Sequence, residues 1–193
     1  MSIVDDTIKL AGSVMTIIRT PTNVSSYCWK GTMSRRGLEP KSAFERFFLI
    51  PSDAGIVEGD LVLIGGDYHL VMSISTEGEF GETWCYQGTL YKCNSVITVR
   101  QYNSGTKAFI TSATNIHCLI TNEGWWGEND RNVAVQASRI SSRAFTVYAQ
   151  ALAGIGKKSM IIDQASMRFR VSDDIDPITT NGITTIRMLL ENA

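Results

Sequence analysis

The sequence has six cysteine and histidine side chains, the types that could form a zinc site or a Cys–His nucleophile: Cys28, His69, Cys85, Cys93, His117 and Cys118. A zinc site would gather Cys85, Cys93, His117 and Cys118, with His69 as a further ligand. Zinc ligands usually come in pairs two to four residues apart, whereas Cys85 and Cys93 are eight residues apart. His117 and Cys118 are adjacent and would point to opposite faces of a strand. The spacing therefore favours packed, free thiols over a zinc site or a Cys–His nucleophile.

Other motifs that could carry catalysis are incomplete. The segment Gly154-Ile155-Gly156-Lys157-Lys158-Ser159 resembles the end of a phosphate-binding loop, but Ala151 stands where the first glycine belongs and Lys158 where Ser or Thr belongs. The acidic run Asp173-Asp174-Ile175-Asp176 lacks the spacing and the glycine of a calcium loop, and no Gly-x-Ser-x-Gly elbow is present. We therefore predict no catalytic residue, no cofactor, no metal and no enzyme activity.

Two polar, glycine-containing stretches are the best candidates for contacts with other molecules. The first covers about residues 20–44 and contains Arg35 and Arg36; the second covers about residues 121–132 and contains Trp125, Trp126 and Arg131. Long irregular segments in a compact domain are usually functional or disordered. Trp and Arg dominate the energetic centres of interfaces, although a Trp can equally anchor its loop on the core. We predict that these two stretches are interaction loops.

The elements between these loops are predicted to be strands. Residues 61–64 and 68–72 flank Gly65-Gly66-Asp67, which is a strong hairpin signal. Met167, Phe169 and Val171 alternate with arginines, the period-2 pattern of a half-buried strand. Further short β-branched runs recur at regular spacing. The sequence thus predicts an all-β, mainly antiparallel fold, a small barrel or sandwich with little helix.

The best helical window runs from Asp5 to about Arg19, with a strand competing for its second half. We find no internal repeat and predict one barrel-like domain over residues 1–193. The 18 Lys+Arg residues nearly balance the 19 Asp+Glu residues, so no global field attracts nucleic acid or anionic lipid. No segment reaches the roughly 20 apolar residues of a membrane span, and the acidic N-terminus is unlike a signal peptide. We expect synthesis in the cytosol and no membrane partner.

Residues 44–102 carry a resemblance to a known family. Phe47-Phe48-Leu49-Ile50-Pro51 leads into Gly55-Ile56-Val57-Glu58-Gly59-Asp60-Leu61-Val62, and these are followed by Gly66-Asp67-Tyr68-His69-Leu70-Val71-Met72-Ser73 and by Leu90-Tyr91-Lys92-Cys93-Asn94. This order resembles the small β-barrel neck proteins of tailed bacteriophages, known as head-closure, stopper or head–tail connector proteins.

The resemblance implies a structural protein of the virion neck or tail, assembled in the cytoplasm of a bacterial host. Such a chain forms a homo-oligomeric ring, a hexamer or dodecamer, by head-to-tail contacts between identical subunits. It would connect a portal or adaptor protein to a tail tube or tail-terminator protein, with double-stranded DNA passing through the lumen.

Three alternatives remain open at this point. One is a tail-terminator or baseplate structural protein. Another is a β-barrel nucleic-acid-binding module, in which Trp125, Trp126, Arg35 and Arg36 would contact a single strand. The third is a zinc or Cys–His protein.

Overall fold

A computed structural model gives the fold of this chain as almost entirely antiparallel β, as the sequence predicts. The chain divides into two compact units, unit 1 over residues 1–93 and unit 2 over residues 94–193. The structure describes residues 3–19, 21–30, 45–79, 82–122, 144–151, 159–171 and 178–191.

Unit 1 is a closed six-stranded barrel with a short helix packed against it. Its strands are ordered β1-β2-β3-β6-β5-β4, and β4 closes the ring by pairing with β1. Every pairing is antiparallel. The elements are α1 Ile3–Ala11, β1 Ser13–Ile18, β2 Val24–Lys30, β3 Glu45–Pro51, β4 Leu61–Ile64, β5 Asp67–Glu79 and β6 Glu82–Lys92.

The hairpin between β4 and β5 forms where the sequence predicts it. Gly65 and Gly66 have φ angles of 59° and 88°, and Ile64 pairs with Asp67 across the turn. Positive φ at both central residues matches the twist of the flanking strands and favours glycine at both positions. This turn fixes the register that directs Val62 and Val71 into the barrel core.

Two sequence expectations for the N-terminal region need correction. The segment from Asp5 to Arg19 is a helix only as far as Ala11, and β1 occupies its second half. The predicted loop at 20–44 contains β2, because Val24–Lys30 is a strand. The flanking proline and glycine residues suggested a loop, yet Cys28 lies in the core while its neighbours Tyr27 and Trp29 are exposed. That alternation is the pattern of a half-buried strand.

Two buried carboxylates hold the connections of unit 1 in place. Asp5 of α1 accepts hydrogen bonds from the backbone N–H of Ser52, at 3.0 Å, and from its hydroxyl, at 2.6 Å. Asp60 accepts from the guanidinium of Arg19, with Nε at 3.0 Å, and from the backbone N–H of Val57 at 2.9 Å. Asp60 is only 6% exposed, so this cluster supplies the partners that a buried carboxylate requires.

Unit 2 is a second closed six-stranded antiparallel barrel. Its strands are ordered β11-β10-β7-β8-β9-β13, and β13 closes the ring by pairing with β11. β12 is an additional strand that pairs with β13. The strands are β7 Ser95–Asn103, β8 Ala108–Asn122, β9 Ala144–Gln150, β10 Met160–Asp163, β11 Arg168–Val171, β12 Ile178–Thr180 and β13 Ile183–Leu190. The core centres on Phe169, which packs edge-on against Phe145.

The two barrels have the same topology. When the six ring strands of each unit are numbered in chain order, both rings read 1-2-3-6-5-4. Each unit also has its own buried apolar cluster. The prediction of a single barrel-like domain over 1–193 therefore needs correction, since the chain holds two barrels. Short strands and turns give the same sequence pattern whether they build one barrel or two, so the pattern did not reveal the number of barrels.

We expect Asp60→Ala to lower the free energy of unfolding by about 2 kcal/mol, because it leaves Arg19 and the Val57 N–H without their buried acceptor. Chemical denaturation followed by tryptophan fluorescence measures this. The matched control is Asp53→Ala, which removes an ion pair with Lys9 in which the Asp53 side chain is 61% exposed. The control should unfold at nearly the wild-type denaturant concentration; equal losses in both variants would contradict the role given to Asp60.

Candidate functional site

The interaction residues singled out from sequence, Arg35, Arg36, Trp125, Trp126 and Arg131, lie outside the described residues. The fold nevertheless places their segments in the topology. Residues 31–44 connect β2 to β3, and residues 123–143 connect β8 to β9. Each is the connection between the second and third strands of its barrel. The connections that carry these five residues therefore stand at equivalent points of two barrels with the same strand order.

In unit 1 the β5–β6 hairpin extends past the strands beside it. β5 has 13 residues while its neighbour β4 has four, and their pairing stops at Leu70. On the other side, the pairing of β6 with β3 begins at Cys85. Within the described part of the chain, residues 76–79 and 82–84 thus pair only with each other's strand. We call these residues the unit 1 arm.

In unit 2 the β7–β8 hairpin extends in the same way. β8 has 15 residues, but its pairing with β9 begins only at Cys118. β7 pairs with β10 no further than Arg100. Among the described residues, 101–103 and 108–117 therefore pair only within the hairpin. We call these residues the unit 2 arm.

The unit 2 arm is held together by its own contacts beyond the strands beside it. The unit 2 arm is closed at its tip by Asn103, whose side-chain oxygen accepts the backbone N–H groups of Gly105 and Thr106 at 2.8 and 3.2 Å. Tyr102 and Phe109 stack edge-on across its strands with ring centroids 5.5 Å apart. Such caps and cross-strand aromatic pairs stabilise a two-stranded ribbon. The unit 2 arm therefore presents a backbone edge that is a template for pairing with another strand.

The exterior of unit 1 also carries an exposed apolar face on β1 and β2. Val14 and Tyr27 are cross-strand partners and are 60% and 40% exposed, and Trp29, two residues further along β2, is 41% exposed. Exposed aromatic residues beside an aliphatic residue are typical of contact surfaces. Sequence reasoning missed this face because it placed Tyr27 and Trp29 in a loop; the alternation around Cys28 was the signal that could have found it.

His69, the further ligand of the zinc alternative, lies buried in β5 of unit 1. It is 5% exposed and packs edge-on against Phe48. Its Nδ1 lies 3.0 Å from the backbone oxygen of Asp67, so the neutral ring carries its proton on Nδ1. Burial lowers the pKa of His69 below its usual 6.5, and the charges of Lys92 and Arg46 act in the same direction. His69 is therefore a neutral core residue.

The four cysteines are free thiols. Among the described residues, no group of three or more His, Cys, Asp or Glu side chains is placed to hold a metal ion, so the zinc alternative has no ligand set there. Burial raises the pKa of Cys28 to about 11 and that of Cys93 to about 12, so neither is a thiolate at neutral pH. Cys118 is buried, with Sγ 3.7 Å from the backbone oxygen of Ser95. These environments are those of core residues.

We expect the stability of the protein to fall as the pH drops from about 6.5 towards 5. The unfolded chain takes up a proton on His69 near its usual pKa of 6.5, whereas burial lowers the pKa of His69 in the folded chain, so the unfolded chain binds more protons in this range and acid favours unfolding. Burial also lowers the pKa of His117, the other histidine. Denaturant midpoints measured across this range should fall less for His69→Gln than for the wild type, and least for the double variant with His117→Gln. An unchanged slope in His69→Gln would contradict the buried, neutral state of the ring.

Comparisons with known proteins do not identify a family for this chain. No protein-family model matches it, and no curated protein matches it. A similar solved structure, of the MrkH–c-di-GMP complex of K. pneumonia, is 6% identical, covers 96% of this chain and 82% of that chain, and has a TM-score of 0.25. A likeness of that size carries no argument about this protein. In the described part of the chain, no helix is long and apolar enough to cross a membrane.

Proposed function

We propose that this chain is a structural protein of a tailed-phage virion that assembles into a ring at the head–tail junction. In this role it has no catalytic step. It joins a portal or adaptor protein to the tail and surrounds the double-stranded DNA that passes through the neck. The proposal begins from the resemblance of residues 44–102 to the neck proteins; these residues run from β3 of unit 1 into β7 of unit 2.

The observation that carries the proposal is the pair of open-edged arms. A soluble monomer normally shortens, twists or covers its edge strands, since unpaired N–H and C=O groups recruit other strands. Here each barrel extends a hairpin past its neighbours. Among the described residues, 108–117 pair with β7 on one side and with no strand on the other, and their ladder with β7 shifts register near Val99. In an assembly, a strand from a neighbouring subunit can pair with such an edge and satisfy its backbone N–H and C=O groups.

The exposed face at Val14, Tyr27 and Trp29 adds a second kind of contact surface. An apolar patch with aromatic residues is typical of a surface that binds another protein. Surfaces that bind nucleic acid are strongly basic, and this one is not. The net charge of −1 is also consistent with a ring through which DNA passes. A strongly basic ring would make many phosphate contacts and bind the DNA tightly.

The other interpretations keep their place as predictions from sequence. A tail-terminator or baseplate protein would use the same surfaces with different neighbours. A nucleic-acid-binding module would depend on Trp125, Trp126, Arg35 and Arg36, all of which lie outside the described residues, and no described feature favours it over a protein assembly.

The test is the assembly state of the purified full chain, alone and mixed with the portal protein encoded in the same genome. We expect masses at a fixed multiple of the subunit, six or twelve copies, by mass photometry, with closed rings in negatively stained images. A fixed multiple separates ring formation from aggregation, which gives a continuous range of masses. A chain that stays monomeric at its highest soluble concentration and does not bind the portal protein would contradict the proposal.

A further inference from the structure

The ring strands of unit 2 carry charge of almost one sign. β8 and β9 contain no Lys, Arg, Asp or Glu, and the other four ring strands contain one acidic residue and four arginines. The acidic residue, Asp163, caps the β10–β11 turn, where its side-chain oxygen accepts the backbone N–H groups of Ala165 and Met167, both at 2.9 Å. The four arginines are Arg100, Arg168, Arg170 and Arg187. These strands therefore form a cationic region in a chain whose total charge nearly cancels.

Strand register places the arginines close together on the outside of the barrel. In β11, exposed Arg168 and Arg170 alternate with two core residues. Arg170 pairs with Met160 of β10, and Met160 pairs in turn with half-buried Arg100 of β7. Because Arg170 and Arg100 are two strands apart, their Cα atoms lie about 10 Å from each other. On the other side of β11, exposed Arg187 belongs to the neighbouring strand β13.

Apolar side chains lie between these arginines. Met160 and Ile162 of β10 are half-buried, and Leu189 of β13, the partner of Arg170, is 48% exposed. We call the four arginines, Met160, Ile162 and Leu189 the arginine face. Protein interfaces are enriched in Arg and Met, whereas DNA backbones are contacted mainly by polar and charged donors. The mixture of cations and apolar side chains therefore fits an acidic segment of a protein better than a phosphate backbone.

A carboxylate of the chain itself already binds this face. Glu191 follows β13, and its Oε1 lies 3.1 Å from Nε of Arg170. The backbone N–H of Glu191 also donates to the backbone oxygen of Arg168 at 2.9 Å. The Arg170 side chain is still 54% exposed in this ion pair. Because a guanidinium has five N–H donors in a fork that matches carboxylates, Arg170 can bind a second carboxylate from a partner.

Arg100 is a cation in a partly desolvated position. Its Nε is buried, and no described residue accepts a hydrogen bond from it. A buried donor without an acceptor costs free energy. The attraction between opposite charges is also stronger where water is partly excluded. Arg100 therefore gains more from a nearby carboxylate than a fully hydrated cation would.

We propose that the arginine face binds an acidic segment of a partner protein, in which Asp or Glu side chains alternate with apolar ones. This inference rests on the proposed neck function and gives the chemistry of one contact with a flanking portal, adaptor or tail protein. The carboxylates of the segment bind the arginines, and its apolar side chains pack on Met160, Ile162 and Leu189. Opposite charge speeds the encounter and selects this partner over neutral or basic surfaces.

Peptide binding to the full chain tests the charge of the partner. The probe is a fluorescent peptide with the repeat Glu-Leu-Glu-Ser, and the control peptide has the repeat Lys-Leu-Lys-Ser. We expect fluorescence anisotropy to show binding of the acidic peptide, weakened when salt is raised, and no binding of the basic peptide. Failure of the acidic peptide to bind at low salt would overturn the proposal.

Variants identify the surface that the peptide binds. We expect Arg168→Gln combined with Arg170→Gln to weaken binding of the acidic peptide by about tenfold or more. The matched control is Lys30→Gln combined with Lys107→Gln, which removes the same charge at exposed positions outside the arginine face and should bind like the wild type. Thermal midpoints establish that each variant is folded. Equal binding by the arginine variant and the control would contradict the proposal.

The apolar part of the face has its own test. We expect Leu189→Ser to weaken binding of the Glu-Leu-Glu-Ser peptide several-fold and to leave binding of a peptide of Glu and Ser alone unchanged, because only the first peptide has a side chain to pack on Leu189. Equal effects on both peptides would contradict the apolar contact.

Two other occupants of the face would give different results. Short double-stranded DNA that binds through Arg168 and Arg170 while the acidic peptide does not would overturn the proposal in favour of nucleic acid. The acidic run Asp173, Asp174 and Asp176 lies outside the described residues. If the peptide binds only after these three are changed to Asn, the chain's own run is the occupant and the proposal is wrong.

The outcomes for the arginine face and for the ring are separable. If the wild type forms rings and does not bind the acidic peptide, the ring proposal stands and the contact at the arginine face is wrong. If the wild type binds the peptide through these arginines but neither self-associates nor binds the portal protein, the face binds acidic segments and the neck function is wrong.

Discussion

A β-barrel closes only where neighbouring strands lie side by side, so a strand longer than its neighbours leaves backbone N–H and C=O groups without a ladder partner. Both barrels of this protein meet that constraint in the same way. In each, a long hairpin contributes its base to the closed ring and extends its tip beyond it. The closed part buries the core, and the extended part has a ladder partner on one side only among the described residues.

The shared strand order gives the two units a common plan with different details. Both rings read 1-2-3-6-5-4, and both place a long connection between their second and third strands. The extended hairpin is the fifth and sixth strands in unit 1 and the first and second strands in unit 2. Because the hairpins differ in their position in the strand order, one copy carries two unlike hairpin edges. Two unlike surfaces on one chain are what a head-to-tail assembly needs.

The sequence predicted the all-β class and the Gly65-Gly66 hairpin, because positive φ at paired glycines and period-2 alternation are local signals. It did not predict β2, where the flanking Pro21 and Gly31 suggested a loop. It also missed the two-barrel organisation, since strand neighbours such as β1 and β4 are set by closure and not by local pattern. The sequence did not predict the arms for the same reason. An arm exists because one strand is longer than its neighbour in the sheet, and the sequence alone does not show that β5 lies beside β4.

The most direct test of these open edges is hydrogen–deuterium exchange of the backbone amides, compared between dilute monomer and assembled protein. In the monomer, we expect fast exchange in residues 76–79 and 108–117, and slow exchange in ring strands such as β9. On assembly both arm segments should become protected together, while the ring strands change little. Arms that are already protected in the monomer, or that exchange equally fast in the assembly, would contradict the central claim that these edges are completed by another copy of the chain.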